Sequence, residues 1–233
     1  AGYLHDLGKI AQRSIKDARY ESHPELTERL LSPAPQQSKQ IRNPITNLLS
    51  SAGLNLEAVR VAATHHHEDT RMKRHVAQAK ASPYYSLAEL INKSDSLSSG
   101  ERLDQFASTP SPYLHNILYH VNAQESTLSP ENSAVFRHVP LSELSDLPLH
   151  EVQLQESGTK SLPSRELYEE FIATLGKIDS TPSLSPWTLA LTLESTLRNY
   201  LWCVPSDTRT VRRDVSLYDH LKTTAAIAGA AYR

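Results

Sequence analysis

With 233 residues, the chain is long enough to bury the core of one large domain or two small ones. Hydrophobic residues at 39%, charged residues at 21% and a formal charge of −2 describe a soluble globular chain with no net basic charge to drive nucleic-acid binding, so any basic surface has to be local. The single cysteine, Cys203, excludes an internal disulfide and a thiolate zinc cluster; no apolar run approaches the ~20 residues of a membrane span and no signal peptide is visible, so a cytoplasmic protein with no membrane partner is expected.

Tyr3, Leu4, Leu7, Ile10 and Ala11 recur at helical spacing and predict an amphipathic helix over residues 1 to about 15. The pattern is already under way at Ala1, so a few native residues are expected upstream. Gly8 inside it costs roughly 1 kcal/mol relative to alanine, which points to close approach of another backbone or a ligand. Ser22-His23-Pro24 starts a second helix, with the proline at the first helical position, and this helix runs to Leu31. After a polar loop, a short helix is expected from Pro44 to Gly53. A further one carries Leu56, Val59, Ala63 and His66 on one face and ends in the run His65-His66-His67. Arg71, Lys73 and Arg74 lie in a basic stretch that reads as a solvated loop.

Ser82-Pro83 opens another helix, with Leu87, Leu90, Ile91, Ser94 and Asp95 on one face and Gly100 as its stop. From about 103 to 162 the periodicity weakens. Short strands are expected over 113–121 and 135–141, within an irregular or β insertion. Helical spacing returns with Leu167, Tyr168, Phe171, Ile172 and Leu175, and Ser185-Pro186 starts the next helix, carrying Trp187, Leu191 and Leu201. Arg209, Arg212 and Arg213 fall in a loop. Ser216 is an N-cap, and Leu217, His220, Thr224, Ile227 and Ala231 line one face of the last helix.

The adjacent pair His5-Asp6 offers one nitrogen and one oxygen ligand, a combination that suits a borderline divalent transition metal better than calcium or magnesium. His65-His66, Asp95 and His220 lie on faces that are otherwise apolar. A single histidine on such a face is more often a hydrogen-bonded core residue than a ligand, and Asp95 could pair with Lys93 or Arg102. Together, however, these stretches supply three imidazoles and two carboxylates, a shell for one or two transition-metal ions. Lys9, beside the pair, is a candidate to stabilise transition-state charge, or simply a solvated lysine. No glycine-rich phosphate loop and no GxSxG nucleophile elbow occurs.

Three stretches then resemble one family. Residues 2–9 (GYLHDLGK), followed by Gln12-Arg13, are similar to the "LHDIGK…QR" opening of HD-superfamily nuclease domains in the large subunit of type III CRISPR effector complexes, nearest to type III-A. Residues 95–102 (DSLSSGER) resemble its "AD-x-LSSGER" motif, with Ser94 where an alanine usually stands, and residues 214–228 resemble its "D-[IV]-SL-x-DHLKTTAAIA" segment. The resemblance implies a mainly α, circularly permuted HD domain in which the helix that usually comes first is placed last. It assigns 1–102 and 214–233 to the metal-site helices, 103–162 to a variable insertion and 163–202 to helical support.

It further implies metal ligation by His5, Asp6, His65 or His66, Asp95 and His220, with His23 and His67 as less secure members. The metal would be manganese, nickel, cobalt or iron, one ion or two. The implied activity is metal-dependent hydrolysis of single-stranded DNA, and the implied partners are other type III subunits with crRNA and target RNA. The family's palm and cyclase domains are not represented, and no GGDD motif occurs. Two other readings use the same residues: a phosphohydrolase of free nucleotides, and an inactive scaffold that docks to partner subunits.

Overall fold

The computed structural model describes residues 1–32, 45–69, 74–99, 165–179, 184–209 and 215–232, together with 114, 140 and 141. The strands expected within 103–162, Gly100 to Arg102, Arg71, Lys73, Arg212 and Arg213 lie outside the described residues. Within them the chain is helical: α1 (Gly8–Ser14), α2 (His23–Leu31), α3 (Ile45–Ser51), α4 (Leu56–Thr64), α5 (Tyr85–Ser99), α6 (Arg165–Asp179), α7 (Pro186–Leu201) and α8 (Leu217–Ala231). None of these helices is long and apolar enough to cross a membrane.

Local signals set most helix starts. Ser22 caps α2 through a capping box in which the Glu25 carboxylate returns to Ser22. Asn55, Ser185 and Ser216 each accept a hydrogen bond from the backbone N–H three residues on, starting α4, α7 and α8. Gly53 ends the α3 turn with φ +70°, a conformation that favours glycine. The expected helix over 1–15 is shorter than its periodicity suggests. Residues 2–7 form successive turns, with Leu4 N–H bonded to Ala1 O and Leu7 N–H to Leu4 O, and the α-helix begins only at Gly8. Close packing at both ends accompanies this: a Cβ on Gly2 would stand 2.6 Å from Ala225 Cα, and one on Gly8 would stand 2.1 Å from His23 O.

Packing divides the helices into two groups. On one side α2, α4, α5 and α8 follow one another, each against the next, with α1 against α2. On the other side α6 packs on α1, α3 and α7, and α7 packs on α8. The main core between them contains Leu7, Ile10, Leu26, Leu30, Leu48, Phe171, Leu175, Leu197, Leu217 and Leu221. Cys203 is buried within it. Two sequence-derived faces end differently from expectation. Trp187 and Leu191 point outward, because α7 buries Leu189, Leu193 and Leu197 instead. On α8 the buried stripe runs through Leu217, His220, Leu221, Thr224 and Ala228, and Ala231 is exposed.

The second motif residue after the opening pair has a structural task. Arg13, in the last turn of α1, donates to the carbonyls of Pro205 and Ser206. That backbone is paired in turn with the entry to α8 (Ser206 N–H to Val215 O, 2.9 Å). Gln12 donates to Glu21 O at 2.7 Å, holding the turn that leads into α2. The first and last motifs are thereby clamped together before any metal is considered.

A candidate metal centre

The side chains at issue come from five places: the turns before α1 (His5, Asp6), the start of α2 (His23), the segment just after α4 (His66, His67), the last turns of α5 (Asp95) and the first turn of α8 (His220). The histidine run therefore lies beyond α4 rather than on it. His66 O accepts from Asn92 Nδ2 at 2.7 Å, which pins that segment to α5. Thr27 serves α1 and the pair together, accepting from Gly8 N–H (2.9 Å) and donating to His5 O (3.1 Å).

These residues form two groups of potential ligands, Asp6–His23–His66–His67 and His5–Asp6–Asp95–His220, and Asp6 belongs to both. Its two oxygens divide between them. Oδ1 lies 3.0 Å from His23 Nε2 and 3.5 Å from His66 Nε2; Oδ2 lies 3.2 Å from His220 Nε2 and 3.6 Å from His5 Nε2. Asp95 Oδ1 faces His220 Nε2 at 3.0 Å and His5 Nε2 at 3.6 Å. Lys9 Nζ donates to Asp6 Oδ2.

Whether this set fits a cation is decided by which atoms are acceptors. His5 Nδ1–H donates to Gly2 O and His66 Nδ1–H to Ala63 O, each at 2.8 Å, so the Nε2 atoms of the neutral rings carry lone pairs. Asp6 Oδ1 and His66 Nε2 are buried acceptors without a hydrogen bond, facing each other at 3.5 Å. Burying two facing acceptors costs free energy unless something positive lies between them. The Nε2 atoms of His5 and His220 face each other at 3.3 Å, and those of His23 and His67 at 2.7 Å. A divalent ion in each group would satisfy these atoms, and the mixed imidazole and carboxylate set suits a transition metal. The residues fit.

Titration behaviour agrees with that set. Burial pushes Asp6 up, but Lys9 and then His5 and His23 outweigh it and hold the carboxyl well below its usual range. Burial also pushes Asp95 up, and hydrogen bonds from His220 and His5 more than reverse it. Burial lowers His5, takes His23 down to about 4 and His67 to about 3, leaving them as neutral ligands near pH 7. His220 runs the other way: burial lowers it, but its hydrogen bonds to Asp6 and Asp95 prevail and raise it.

This gives a stability prediction for the metal-free protein. His5, His23 and His67 have folded-state pKa values below the unfolded value of 6.5, so the unfolded chain takes up protons first as pH falls. Their contribution is complete above about pH 6.5 and is lost between there and about pH 3. His220, raised, opposes them but is one group against three. Thermal melts with chelator present should show a lower midpoint at pH 5 than at pH 7.5; a midpoint that is flat or higher at pH 5 contradicts the burial of neutral imidazoles.

The sequence-derived candidates thus divide. His5, Asp6, His23, His66, His67, Asp95 and His220 are brought together, with Lys9 at their edge. His65 is not: its Nδ1 is 2.9 Å from Thr64 Oγ1, and burial and then Arg74 lower its pKa. His65→Ala is expected to leave metal uptake unchanged, whereas His66→Ala should lose one ion; equal losses in isothermal titration would contradict the placement. Thr27 and Asn92, which hold the ligand-bearing segments, carry no chemical signal in the sequence beyond their neighbourhood to these motifs. Arg209, in the loop that the sequence predicts, is paired with Asp207 through two nitrogens.

No protein-family model matches the sequence, and no curated protein matches it. Among solved structures the chain is similar to Csm1 of T. onnurineus, with a TM-score of 0.54 and 21% identity over 97% of this chain and 27% of that one. It is similar also to a chain of a Csm1–Csm4 cassette in complex with cA4, with a TM-score of 0.54 and 19% identity over 97% of this chain and 26% of that one. The chain spans about a quarter of the length of the chains it matches. It is a helical chain whose fold is similar to that of a part of Csm1.

Proposed function

We propose that this chain is the metal-dependent nuclease module of a type III CRISPR large subunit, hydrolysing phosphodiester bonds in single-stranded DNA. The observation that carries the hydrolase reading is the division of the Asp6 carboxylate, one oxygen to each of two groups built only of imidazoles and carboxylates. His23, His66 and His67 would hold one ion with Asp6; His5, Asp95 and His220 would hold the other. Ions bound there would lower the pKa of a coordinated water and neutralise the non-bridging oxygens of a phosphodiester. The chain's own contribution is positional. Lys9 keeps Asp6 ionised and, at 12% side-chain exposure, places a positive charge where the buried site meets solvent. Backbone carbonyls of Gly2 and Ala63 keep His5 and His66 in the tautomer that presents Nε2.

The single-stranded DNA substrate rests on the motif resemblance. Partnership with other type III subunits, crRNA and target RNA rests on that resemblance and on the Csm1 fold, which one of the matched structures presents together with Csm4. The test is cleavage of a single-stranded oligonucleotide with added manganese or nickel, by wild type and by a His5→Ala/Asp6→Ala double variant. Cleavage by wild type alone, with the variant still folded, is the expected result. Hydrolysis of nucleoside triphosphates without DNA cleavage would establish the phosphohydrolase reading instead. Metal uptake without either activity would establish the scaffold.

A further inference from the structure

Among the candidate ligands, the three imidazoles whose Nδ1 partners are defined differ in how they are held. His5 and His66 donate to backbone carbonyls, which no side-chain substitution removes. His220 Nδ1 instead lies 3.0 Å from a side chain, Ser98 Oγ, in the last turn of α5. Ser98 Oγ has two further partners: it donates to Asp95 O at 3.0 Å and lies 2.8 Å from Thr224 Oγ1 on α8.

A serine hydroxyl has one proton and two lone pairs. The proton is committed to the Asp95 carbonyl, which can only accept. Both lone pairs must then be met by donors, namely His220 Nδ1–H and the Thr224 hydroxyl. Every valence of the oxygen is used, and only one tautomer of a neutral His220 is compatible with it: proton on Nδ1, lone pair on Nε2. That lone pair faces Asp95 Oδ1 and Asp6 Oδ2 at 3.0 and 3.2 Å, inside the second ligand group. His220 and Thr224 are fully buried, so water does not substitute readily for Ser98.

We propose that Ser98, backed by Thr224, is a positioning residue that locks His220 as an Nε2 ligand for the ion shared by His5, Asp6 and Asp95. It holds this ion's imidazole through a hydroxyl, and does so from the same turn of α5 that carries Asp95. Ser99 works alongside it, donating to Asp95 Oδ1 at 3.3 Å. One short serine-bearing turn therefore orients two ligands of one ion and none of the other. The proposal rests on the metal-centre reading above, and it predicts an asymmetry that the reading alone does not.

The experiment uses zinc, which is diamagnetic, as the probe, with the full chain as wild type, Ser98→Ala and Thr224→Val. Calorimetric titration of wild type should resolve two ions. Ser98→Ala should weaken one of them about 10–100-fold, the range found when an outer hydrogen-bond partner of a ligand is lost, and leave the other unchanged. Thr224→Val should weaken the same ion to a smaller degree. In the zinc-loaded protein, the Nδ1 protons of His5, His66 and His220 should appear as slowly exchanging proton resonances. Ser98→Ala should expose only the His220 proton to solvent exchange, with those of His5 and His66 as internal controls of folding. Two bound ions and an unchanged His220 proton in Ser98→Ala would overturn the assignment of Ser98 while leaving the metal centre standing. No zinc uptake by wild type would overturn the metal centre and the role of Ser98 with it.

Discussion

Asp6→Asn is expected to abolish metal binding in both groups and to reduce phosphodiester hydrolysis by more than about 100-fold, beyond the range seen when only an outer partner of a ligand is lost. The amide keeps the shape of the carboxylate and an oxygen for Lys9, so the change is one of charge and ligand strength rather than volume. It acts on two ions at once because Oδ1 and Oδ2 serve different groups. His220→Ala or His66→Ala removes a ligand from one group only. Asp6→Asn should therefore be more damaging than either, although each removes one side chain. Cleavage rates and metal titrations on the three variants, with circular dichroism to confirm folding, measure this. An Asp6→Asn protein that retains one tightly bound ion would contradict the shared-carboxylate geometry.

Gly8→Ala should destabilise the fold although alanine is the better helix former. Propensity favours the change by about 1 kcal/mol. Against it, the new Cβ would stand 2.1 Å from His23 O, 2.6 Å from Thr27 N and 2.9 Å from Leu26 Cβ. The first two are backbone atoms of α2 and cannot rotate aside, so α1 and α2 have to separate. Overpacking of a core typically costs about 1–3 kcal/mol, and a clash with backbone belongs at or above the top of that range. Net of the propensity gain, about 2 kcal/mol lowers the melting midpoint of a chain of this size by roughly 4–8 °C. The displacement would also carry His23 away from Asp6, so metal uptake by the first group should weaken in parallel. A midpoint equal to or above that of wild type would show that α1 and α2 are not packed in this way.

Gly2 and Gly8 mark how far the sequence could be followed. Helix starts at Ser22, Ser185 and Ser216 are legible because a cap is local: an oxygen and an N–H three residues apart settle it. The apolar stripe of α6 is legible for a similar reason, since Leu167, Phe171 and Leu175 bury themselves whatever lies opposite. Residues 1–7 are not, because their departure from helix accompanies contact with Ala225 and α2, which no local window contains. The choice among His65, His66 and His67 escapes for another reason. Helical periodicity stops at Thr64, and beyond it the orientation of each ring depends on the Asn92 bond and on the pairing of His67 with His75. His23, a less secure member from sequence, faces Asp6 directly because the cap that starts α2 sets its position.

The centre also explains why the chain's two ends have to meet. His5 and Asp6 sit in turns rather than in a helix, where Gly2 O holds the His5 ring and Lys9 bonds the Asp6 carboxylate. Arg13, the Ser206–Val215 pairing and the α5–α8 contact hold His220 against them. Stability and ligand placement are thus carried by the same contacts.

The most direct test of the account is the number of divalent ions held by each chain, counted by native mass spectrometry with manganese. The account predicts two for wild type, one each for His66→Ala and His220→Ala, and none for Asp6→Asn. No ion on wild type, or loss of the same single ion in both histidine variants, would contradict it.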